Sequence, residues 1–370
     1  MKVLFTCFSQ SWGGMEMFAL TTVLQLKKHN IETELACFPD SRLHLEAIKN
    51  NIITHTFKQN SYFHPIHTLN LSSLIKHKKY NVIECGGSKD LWLVVPALNI
   101  AGLKTPLFLS KQMASFIIKK DFLHKKLYSR VTKTFAISNM IKENLLETTP
   151  LQIEKIILLN NAIDTTKFDP SIVDSETVRN EFSISHDTIL IGMIARFSPG
   201  KGHEEFLLAA KTLSLKHSNI KFIIVGEASR GEEDYATKIR SYANELGLND
   251  SLIFAGFRKD IPNILAAMDI FIFPSHDEAF GIALAEALSM GKPSVCSKYA
   301  GVLDIAIDGL TSFLFEKGNA DDLAAKTELL IESETLRKQF SFAARKRAVE
   351  MFDIEVFTKK LIAHFNESLQ

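Results

Sequence analysis

A strand-to-helix turn in the second half of the chain decides the fold, and it reads IGMIARFSPGKGHE over residues 191–204. The apolar run before Arg196 is typical of a buried strand, Pro199 and Gly200 make a turn, and a helical pattern follows. Arg196 and Lys201 flank this turn. Because Arg can hold two oxygens at once and Lys acts as a point charge, the pair predicts a site that neutralises a diphosphate. A pair of solvated surface cations is the alternative.

Short apolar runs alternate with helical patterns on both sides of this turn. Parallel strands joined by crossover helices produce this alternation. The first series of strands is predicted at residues 3–8, 33–38, 81–85, 106–109, 134–137 and 156–159. The second series is predicted at residues 188–195, 221–225, 251–254, 270–274, 293–296 and 312–315. We therefore expect an α/β fold with two Rossmann-like domains, whose parallel sheets face each other across a cleft.

Length and composition bound the class of protein. A chain of 370 residues can bury two cores, and the polar stretch 160–170 between the two series suits a linker. With 43 basic and 42 acidic residues, the net charge of +1 argues against a nucleic-acid binder. The four cysteines are scattered without a CxxC pair, which predicts reduced core residues in a cytoplasmic protein.

Other compositional features predict what the protein lacks. The apolar run at the N-terminus is too short for a signal peptide, and no stretch approaches the ~20 apolar residues that span a bilayer. The sequence has no DxD pair between strands and no His, Asp and Glu cluster at metal-ligand spacing. We therefore expect no metal and no secretion signal.

The strongest functional signal is a pair of glutamates in the segment PSHDEAFGIALAEAL, residues 274–288. A helix is predicted to begin near Phe280, with Glu278 in the loop before it and Glu286 two turns inside. Glu286 lies in so apolar a helix that a carboxylate there is expected to have a partner. The alternative is an ordinary first-turn acid and a solvated helix residue. The free backbone N–H groups of Phe280, Gly281 and Ile282, at the start of this helix, would contact phosphate or sugar oxygens.

A second glycine-containing turn follows the first predicted strand and reads SQSWGGME over residues 9–16. Gly13 and Gly14 let the backbone approach a ligand closely and leave free N–H groups at a helix N-terminus. A tight turn without a ligand explains the same residues equally well.

These motifs resemble those of the family-four retaining glycosyltransferases, which have the GT-B fold. The run EAFGIALAE, residues 278–286, is similar to the family's glutamate-x7-glutamate motif. Arg196 and Lys201 match the Arg and Lys that contact the donor diphosphate. The Gly13-Gly14-x-Glu16 turn, Ser138-Asn139 and the segment 160–164 also look like family features. The resemblance covers nearly the whole chain and is most specific over residues 191–315.

The resemblance implies transfer of a sugar from a nucleotide-sugar, with a UDP-sugar as the expected donor and no cofactor. It implies that Glu278 contacts the sugar hydroxyls and that Glu286 contacts the ribose. It also implies that Arg196 and Lys201 bind the diphosphate. Glu278, Arg196 and Lys201 form the expected catalytic set. Further donor contacts are expected from Gly13, Gly14, Phe280, Gly281 and Ile282, and the base is expected at Phe257 and Arg258.

The resemblance also implies how the domains divide the work. We expect an N-terminal acceptor-binding domain over residues 1–165 and a C-terminal nucleotide-sugar-binding domain over residues 166–350. A last helix over residues 351–370 is expected to pack back on the N-terminal domain.

The sequence departs from the family pattern on the acceptor side. Gln112 stands where family members commonly place a histidine that contacts the transferred sugar. We expect Gln112 and Glu16 to contact the sugar or the acceptor, on weaker grounds than the donor residues. These departures leave open a nucleotide-sugar epimerase or soluble-acceptor synthase on the same scaffold, and a noncatalytic sugar-nucleotide or glycan-binding protein. A dehydrogenase is disfavoured because neither turn carries GxGxxG.

Residues 111–133 combine cationic and apolar side chains. The stretch contains seven Lys and Arg residues and a single acidic residue, Asp121, and aromatic and aliphatic residues lie between them in the sequence. A helical stretch of this kind favours an anionic membrane surface, although a core-facing helix with a solvated basic face is the alternative. We expect a cytoplasmic enzyme, peripheral on the inner membrane, that builds lipopolysaccharide or another envelope polysaccharide on a glycan or lipid-linked acceptor.

Overall fold

The computed structural model describes residues 1–59, 61–229 and 231–370, which divide into two units. Unit 1 comprises Met1–Asn160 and Glu355–Gln370, and unit 2 comprises Asn161–Ile354. Each unit contains one parallel sheet with helices packed against it. The predicted α/β fold with two Rossmann-like domains is confirmed.

Unit 1 has a seven-stranded sheet in the order β3-β2-β1-β4-β5-β6-β7. Its strands are β1 (Lys2–Cys7), β2 (Glu32–Cys37), β3 (Ile53–Thr56), β4 (Val82–Cys85), β5 (Leu107–Lys111), β6 (Lys133–Ala136) and β7 (Ile156–Leu158). Six of them were predicted, because central parallel strands are continuous apolar runs. The prediction missed β3, which lies at the sheet edge, where its side chains remain partly exposed and need no such run.

Seven helices accompany this sheet among the described residues. They are α1 (Gly14–Lys28), α2 (Arg42–Lys49), α3 (Pro65–Lys78), α4 (Leu91–Ala101), α5 (Phe122–Ser129), α6 (Asn139–Thr148) and, from the end of the chain, α15 (Ile354–Glu367). The last helix is anchored by Phe365, whose ring lies 5.0 Å from that of Phe108 in the middle of the sheet. A second aromatic contact joins Phe357 to Phe18 of α1.

Unit 2 has a six-stranded sheet in the order β10-β9-β8-β11-β12-β13. Its strands are β8 (Ile189–Ile194), β9 (Ile220–Val225), β10 (Leu252–Gly256), β11 (Ile270–Phe273), β12 (Ser294–Ser297) and β13 (Ser312–Phe315). All six were predicted. The helices are α7 (Glu176–Glu181), α8 (His203–Ser214), α9 (Glu233–Glu245), α10 (Ile261–Ala267), α11 (Ile282–Ser289), α12 (Val302–Ile305), α13 (Ala320–Glu332) and α14 (Glu334–Met351).

Strand order sets the position of a site in each unit. The order reverses between β1 and β4 in unit 1 and between β8 and β11 in unit 2. In open parallel sheets, ligands bind beside the carboxyl ends of the strands at such a reversal. The loops after these four strands are therefore the places where each sheet presents functional side chains.

Two further findings bear on the compositional predictions. Among the residues that the structure describes, no helix is both long enough and apolar enough to cross a membrane. All four cysteines are buried and free, namely Cys7, Cys37, Cys85 and Cys296.

The stretch 111–133 is not the single helical segment that was predicted. It consists of the end of β5, a loop, the eight-residue helix α5 and the start of β6. Leu127 and Tyr128 face the core, whereas Phe122 and Leu123 at the start of α5 are exposed. Asp121 begins the helix by accepting hydrogen bonds from the backbone N–H groups of Leu123 and His124.

Candidate functional site

Two loops of unit 2 pack against each other at the carboxyl ends of β8 and β11. Gly202 lies against Pro274, and a Cβ atom at Gly202 would lie 2.2 Å from the Pro274 carbonyl oxygen. The backbone N–H of His276 donates a hydrogen bond of 2.8 Å to the carbonyl of Gly200. The backbones approach so closely because Gly202, with φ of +79°, has no side chain. This contact holds the two loops that carry Lys201 and Glu278 together.

Lys201 and Glu278 form an ion pair, with 2.7 Å between Nζ and Oε2. Each side chain is 23% exposed, so the pair is only partly screened by water. Ser275 also donates to Glu278 Oε2 at 3.3 Å. A cation and an anion that lie 77 positions apart in the sequence are thus in direct contact.

The pair lines a cavity of about 220 Å³, and Arg196 lines the same cavity. Arg196 is exposed and donates from Nη1 to the Ser229 hydroxyl at 2.9 Å. A hydrogen bond from Ser198, with a smaller contribution from Arg196, holds the pKa of Glu232 below its ordinary value. The structure therefore brings the three predicted catalytic residues together, with two cations and one carboxylate around one cavity.

Helix α11 begins at Ile282, two residues later than predicted. Gly281 precedes it with φ of +114°, a conformation that cannot continue a helix, and the buried ring of Phe280 anchors the loop against Phe352 at 5.7 Å. The prediction that Glu286 lies two turns inside is therefore wrong, since it lies just over one turn from the helix start. Within the part of the chain that the structure describes, the N–H groups of Phe280, Gly281 and Ile282 donate no hydrogen bond.

Glu286 of α11 is half-buried. Burial raises the pKa of Glu286 to about 7, and the positive charge of Lys167 opposes this effect. Glu286 does not line the cavity that Arg196, Lys201 and Glu278 share. Its proposed contact with a ribose therefore stays a prediction.

Phe257 and Arg258, the predicted base contacts, lie after β10 and outside this cavity. Phe257 is 60% exposed. Arg258 donates to both oxygens of Glu181, at 2.5 and 2.8 Å, and to both oxygens of Asp260, at 2.9 and 2.7 Å. Both carboxylates hold the guanidinium in place. This assignment also stays a prediction.

In unit 1, Glu16 caps the helix that follows the glycine turn. Its Oε2 accepts a 2.8 Å hydrogen bond from the backbone N–H of Gly13, and the side chain is buried. A Cβ atom at Gly14 would contact nothing within 4 Å. The fold itself thus leaves open space beside Gly14, while the spacing of Gly13 and Glu16 explains the glutamate as a helix cap.

Gln112 lines a second cavity, of about 450 Å³, at the carboxyl ends of β1, β4 and β5. Sequence reasoning missed several other residues of this cavity, among them Asp90, Lys111 and Lys119. Asp90 is buried and accepts from the Thr6 hydroxyl at 2.8 Å, and burial raises its pKa to about 7. The run GGSKD at residues 86–90, a Gly-Gly turn directly after β4, was a signal that could have found it.

Two parallel Rossmann-like sheets, with two cations and a carboxylate at the strand-order reversal of the second, define a protein of the GT-B class. Residues 174–347 match the family described as glycosyl transferases group 1, and residues 12–167 match the one described as glycosyltransferase family 4. The chain therefore belongs to the group 1 glycosyltransferases, as its motifs predicted.

Individual relatives agree with this membership. The chain is 27% identical over 248 residues to a capsular polysaccharide biosynthesis glycosyltransferase, CapM, of Staphylococcus aureus, covering 65% of this chain and 62% of that protein. It is 27% identical over 263 residues to a UDP-Gal:alpha-D-GlcNAc-diphosphoundecaprenol alpha-1,3-galactosyltransferase of Escherichia coli, covering 68% and 67%. The matched regions thus span about two thirds of these two relatives. A glycosyltransferase from Rickettsia africae ESF-5 shares the fold, with a TM-score of 0.90 at 22% identity over 100% of this chain and 98% of that one.

Proposed function

We propose that the protein transfers a sugar from a nucleotide-sugar to a glycan or lipid-linked acceptor, with retention at the anomeric carbon. The observation that carries this proposal is the convergence of Arg196, Lys201 and Glu278 on one cavity of unit 2. Membership in the group 1 glycosyltransferases supports it. The name of the Escherichia coli relative, which specifies a UDP-sugar donor and a lipid diphosphate acceptor, supports a UDP-sugar and an envelope polysaccharide.

The proposed chemistry places the donor diphosphate between the two cations. The bond between the anomeric carbon and the diphosphate oxygen breaks, an acceptor hydroxyl oxygen bonds to the same face of that carbon, and its proton passes to the departing diphosphate. Lys201, Arg196 and the free N–H groups at the start of α11 stabilise the negative charge that develops. Glu278 accepts hydrogen bonds from the sugar hydroxyls and orients the ring.

A ligand panel tests the donor site. UDP-, GDP- and ADP-sugars are compared by thermal shift on the wild type, on Glu286→Gln and on a matched control, Glu334→Gln, an exposed helical glutamate paired with Lys338. We expect UDP-sugars to raise the Tm of the wild type and the control, and to raise that of Glu286→Gln less, because a ligand stabilises the state it binds. The wild-type shift should grow from pH 6 to pH 8, since the ionised carboxylate accepts hydroxyl hydrogen bonds better and its pKa is about 7.

The other outcomes of this panel separate the alternatives. A shift for one nucleotide class without a glycosylated product would favour an epimerase or a noncatalytic binding protein. The absence of a shift with every nucleotide-sugar would contradict the proposed donor site.

We propose in addition that unit 1 binds an anionic membrane surface through residues 111–133. Six large apolar side chains of this stretch are exposed, which is unusual for a surface that faces only water. They are Met113, Phe116, Ile117, Ile118, Phe122 and Leu123. Exposed lysines lie beside them at Lys120, Lys125 and Lys126. Apolar side chains that enter the headgroup region, next to cations that attract anionic lipids, are the features of a peripheral membrane surface. The same contact would hold the enzyme on the inner membrane, at the cytoplasmic side.

Vesicle co-sedimentation tests this surface. At low salt we expect binding to vesicles with phosphatidylglycerol, and a loss of at least about fivefold in Phe116→Glu/Phe122→Glu, because each charge would enter an apolar layer. Phe342→Glu is the control, since Phe342 is a comparably exposed phenylalanine of unit 2. A wild type that stays in the supernatant with anionic vesicles would contradict the proposal.

A further inference from the structure

The 450 Å³ cavity of unit 1 contains two lysines that have no negative partner. Lys111 ends β5 and Lys119 lies in the loop after it, and both line the cavity. Within the described residues, neither ammonium group forms an ion pair or a hydrogen bond. Burial, together with the charge of Lys119, lowers the pKa of Lys111 to about 8, and burial lowers the pKa of Lys119.

The carboxylate in the same cavity does not neutralise these lysines. Asp90 accepts hydrogen bonds from the Thr6 hydroxyl and the backbone N–H of Phe8, and the cation that acts on it is Lys89. Burial raises the pKa of Asp90 to about 7, which disfavours its charged form. Two partly desolvated ammonium groups in one cavity therefore remain uncompensated.

The turn after β4 adds hydrogen-bond donors to the same cavity. Gly87 and Ser88 line it, and in the described parts of the chain their backbone N–H groups donate no hydrogen bond. These groups lie in the turn before α4, separated from its first residue Leu91 by two residues at the nearest, near the helix end where the dipole favours an anion. Paired cations and free N–H groups are the chemistry that recognises a phosphate or diphosphate.

We infer that this cavity binds a phosphate or diphosphate group of the acceptor, which rests on the proposed function and gives the acceptor a chemical class. Desolvated cations without a counter-ion are costly, and a bound dianion between Lys111 and Lys119 would remove that cost. Lys119 lies three residues from the exposed Phe116, in the stretch proposed to contact a membrane. A phosphate carried by a lipid would reach Lys119 from that surface, whereas a soluble phosphorylated acceptor would enter from water.

The test uses the full chain carrying Arg196→Ala/Lys201→Ala, so that the cations of unit 2 cannot bind the probes. In this background, inorganic pyrophosphate, farnesyl diphosphate and farnesol are titrated by calorimetry. Adding Lys111→Met/Lys119→Met, which keeps most of the apolar stem of each side chain, should lower the affinity for both diphosphates by about tenfold or more. The control adds Lys76→Met/Lys104→Met, two exposed lysines of unit 1 outside both the cavity and the stretch 111–133, and should change the affinities less than threefold.

Each result has one meaning. Farnesyl diphosphate binding tighter than pyrophosphate identifies a lipid phosphate, and equal binding identifies a soluble phosphorylated acceptor. Unchanged diphosphate affinity in Lys111→Met/Lys119→Met, with an unaltered melting temperature, would overturn the inference. Failure of the proposed function appears separately, as a lack of nucleotide-sugar binding by the protein with Arg196 and Lys201 intact.

Discussion

Replacing Lys201 by Ala is expected to lower sugar transfer by about 10²- to 10³-fold, the range found when a preorganised group that stabilises developing charge is removed. Lys201 provides a cation next to the cavity, and its ammonium already lies 2.7 Å from Glu278. The substitution also leaves the Glu278 carboxylate without that partner, close to where the diphosphate is proposed to bind. We therefore expect weaker UDP binding as well as slower turnover, measured by initial rates and by calorimetry.

A double-mutant cycle separates these two effects. Glu278→Gln in the Lys201→Ala background removes the uncompensated charge, so UDP affinity should recover in part while turnover stays low, because the sugar has lost its carboxylate. Lys216→Ala is the control, since Lys216 forms an exposed ion pair with Glu328 on the surface of the same unit. Turnover within threefold of the wild type in Lys201→Ala would refute the proposed role of this residue.

Replacing Gly202 by Ala is expected to destabilise unit 2 by about 2–5 kcal/mol. The left-handed backbone costs a residue with a Cβ roughly 1–2 kcal/mol, and overpacking adds about 1–3 kcal/mol. The added Cβ would lie 2.2 Å from the Pro274 carbonyl oxygen, so the loops that carry Lys201 and Glu278 must separate. Donor binding should fall together with stability.

Gly200→Ala is a matched control for this substitution. Gly200 has φ of +81°, almost the same as Gly202, but a Cβ there would contact nothing within 4 Å. It should therefore cost only the backbone component, roughly 1–2 kcal/mol.

Because both tryptophans, Trp12 and Trp92, belong to unit 1, their fluorescence follows that unit. Hydrogen exchange of peptides from β8 and β11 measures unit 2, and equal protection in the two variants would show that the close contact is not needed.

Much of the fold was predictable because it depends on local pattern. Most strands of unit 2 are short apolar runs between turns, and such runs are what parallel strands with two buried faces require. The exception in unit 1, β3, shows the limit of that rule. It lies at a sheet edge, as β7, β10 and β13 also do, but its sequence ITHT is not a continuous apolar run.

The candidate site was predictable in part for a different reason. Arg196, Lys201 and Glu278 stand in turns directly after predicted strands, where parallel sheets collect functional side chains. The start of α11 was placed two residues early because the helical pattern continues through Gly281, whose φ of +114° depends on the packing of the loop. Glu16 caps α1 through the backbone N–H of Gly13, and its expected contact with a sugar or acceptor stays a prediction.

The sequence by itself determined two parallel α/β sheets, the loops that bear chemistry and the family of the protein, because strand periodicity, turn residues and motif spacing are all local. Only the tertiary structure decided which of those loops meet. The ion pair of Lys201 with Glu278 depends on the order of β8 and β11 and on a backbone contact at Gly202. The cavity with Lys111, Lys119 and the turn after β4 likewise exists because strands distant in sequence lie side by side in one sheet. Burial changes the pKa of such groups only after that packing has formed, which no linear pattern records.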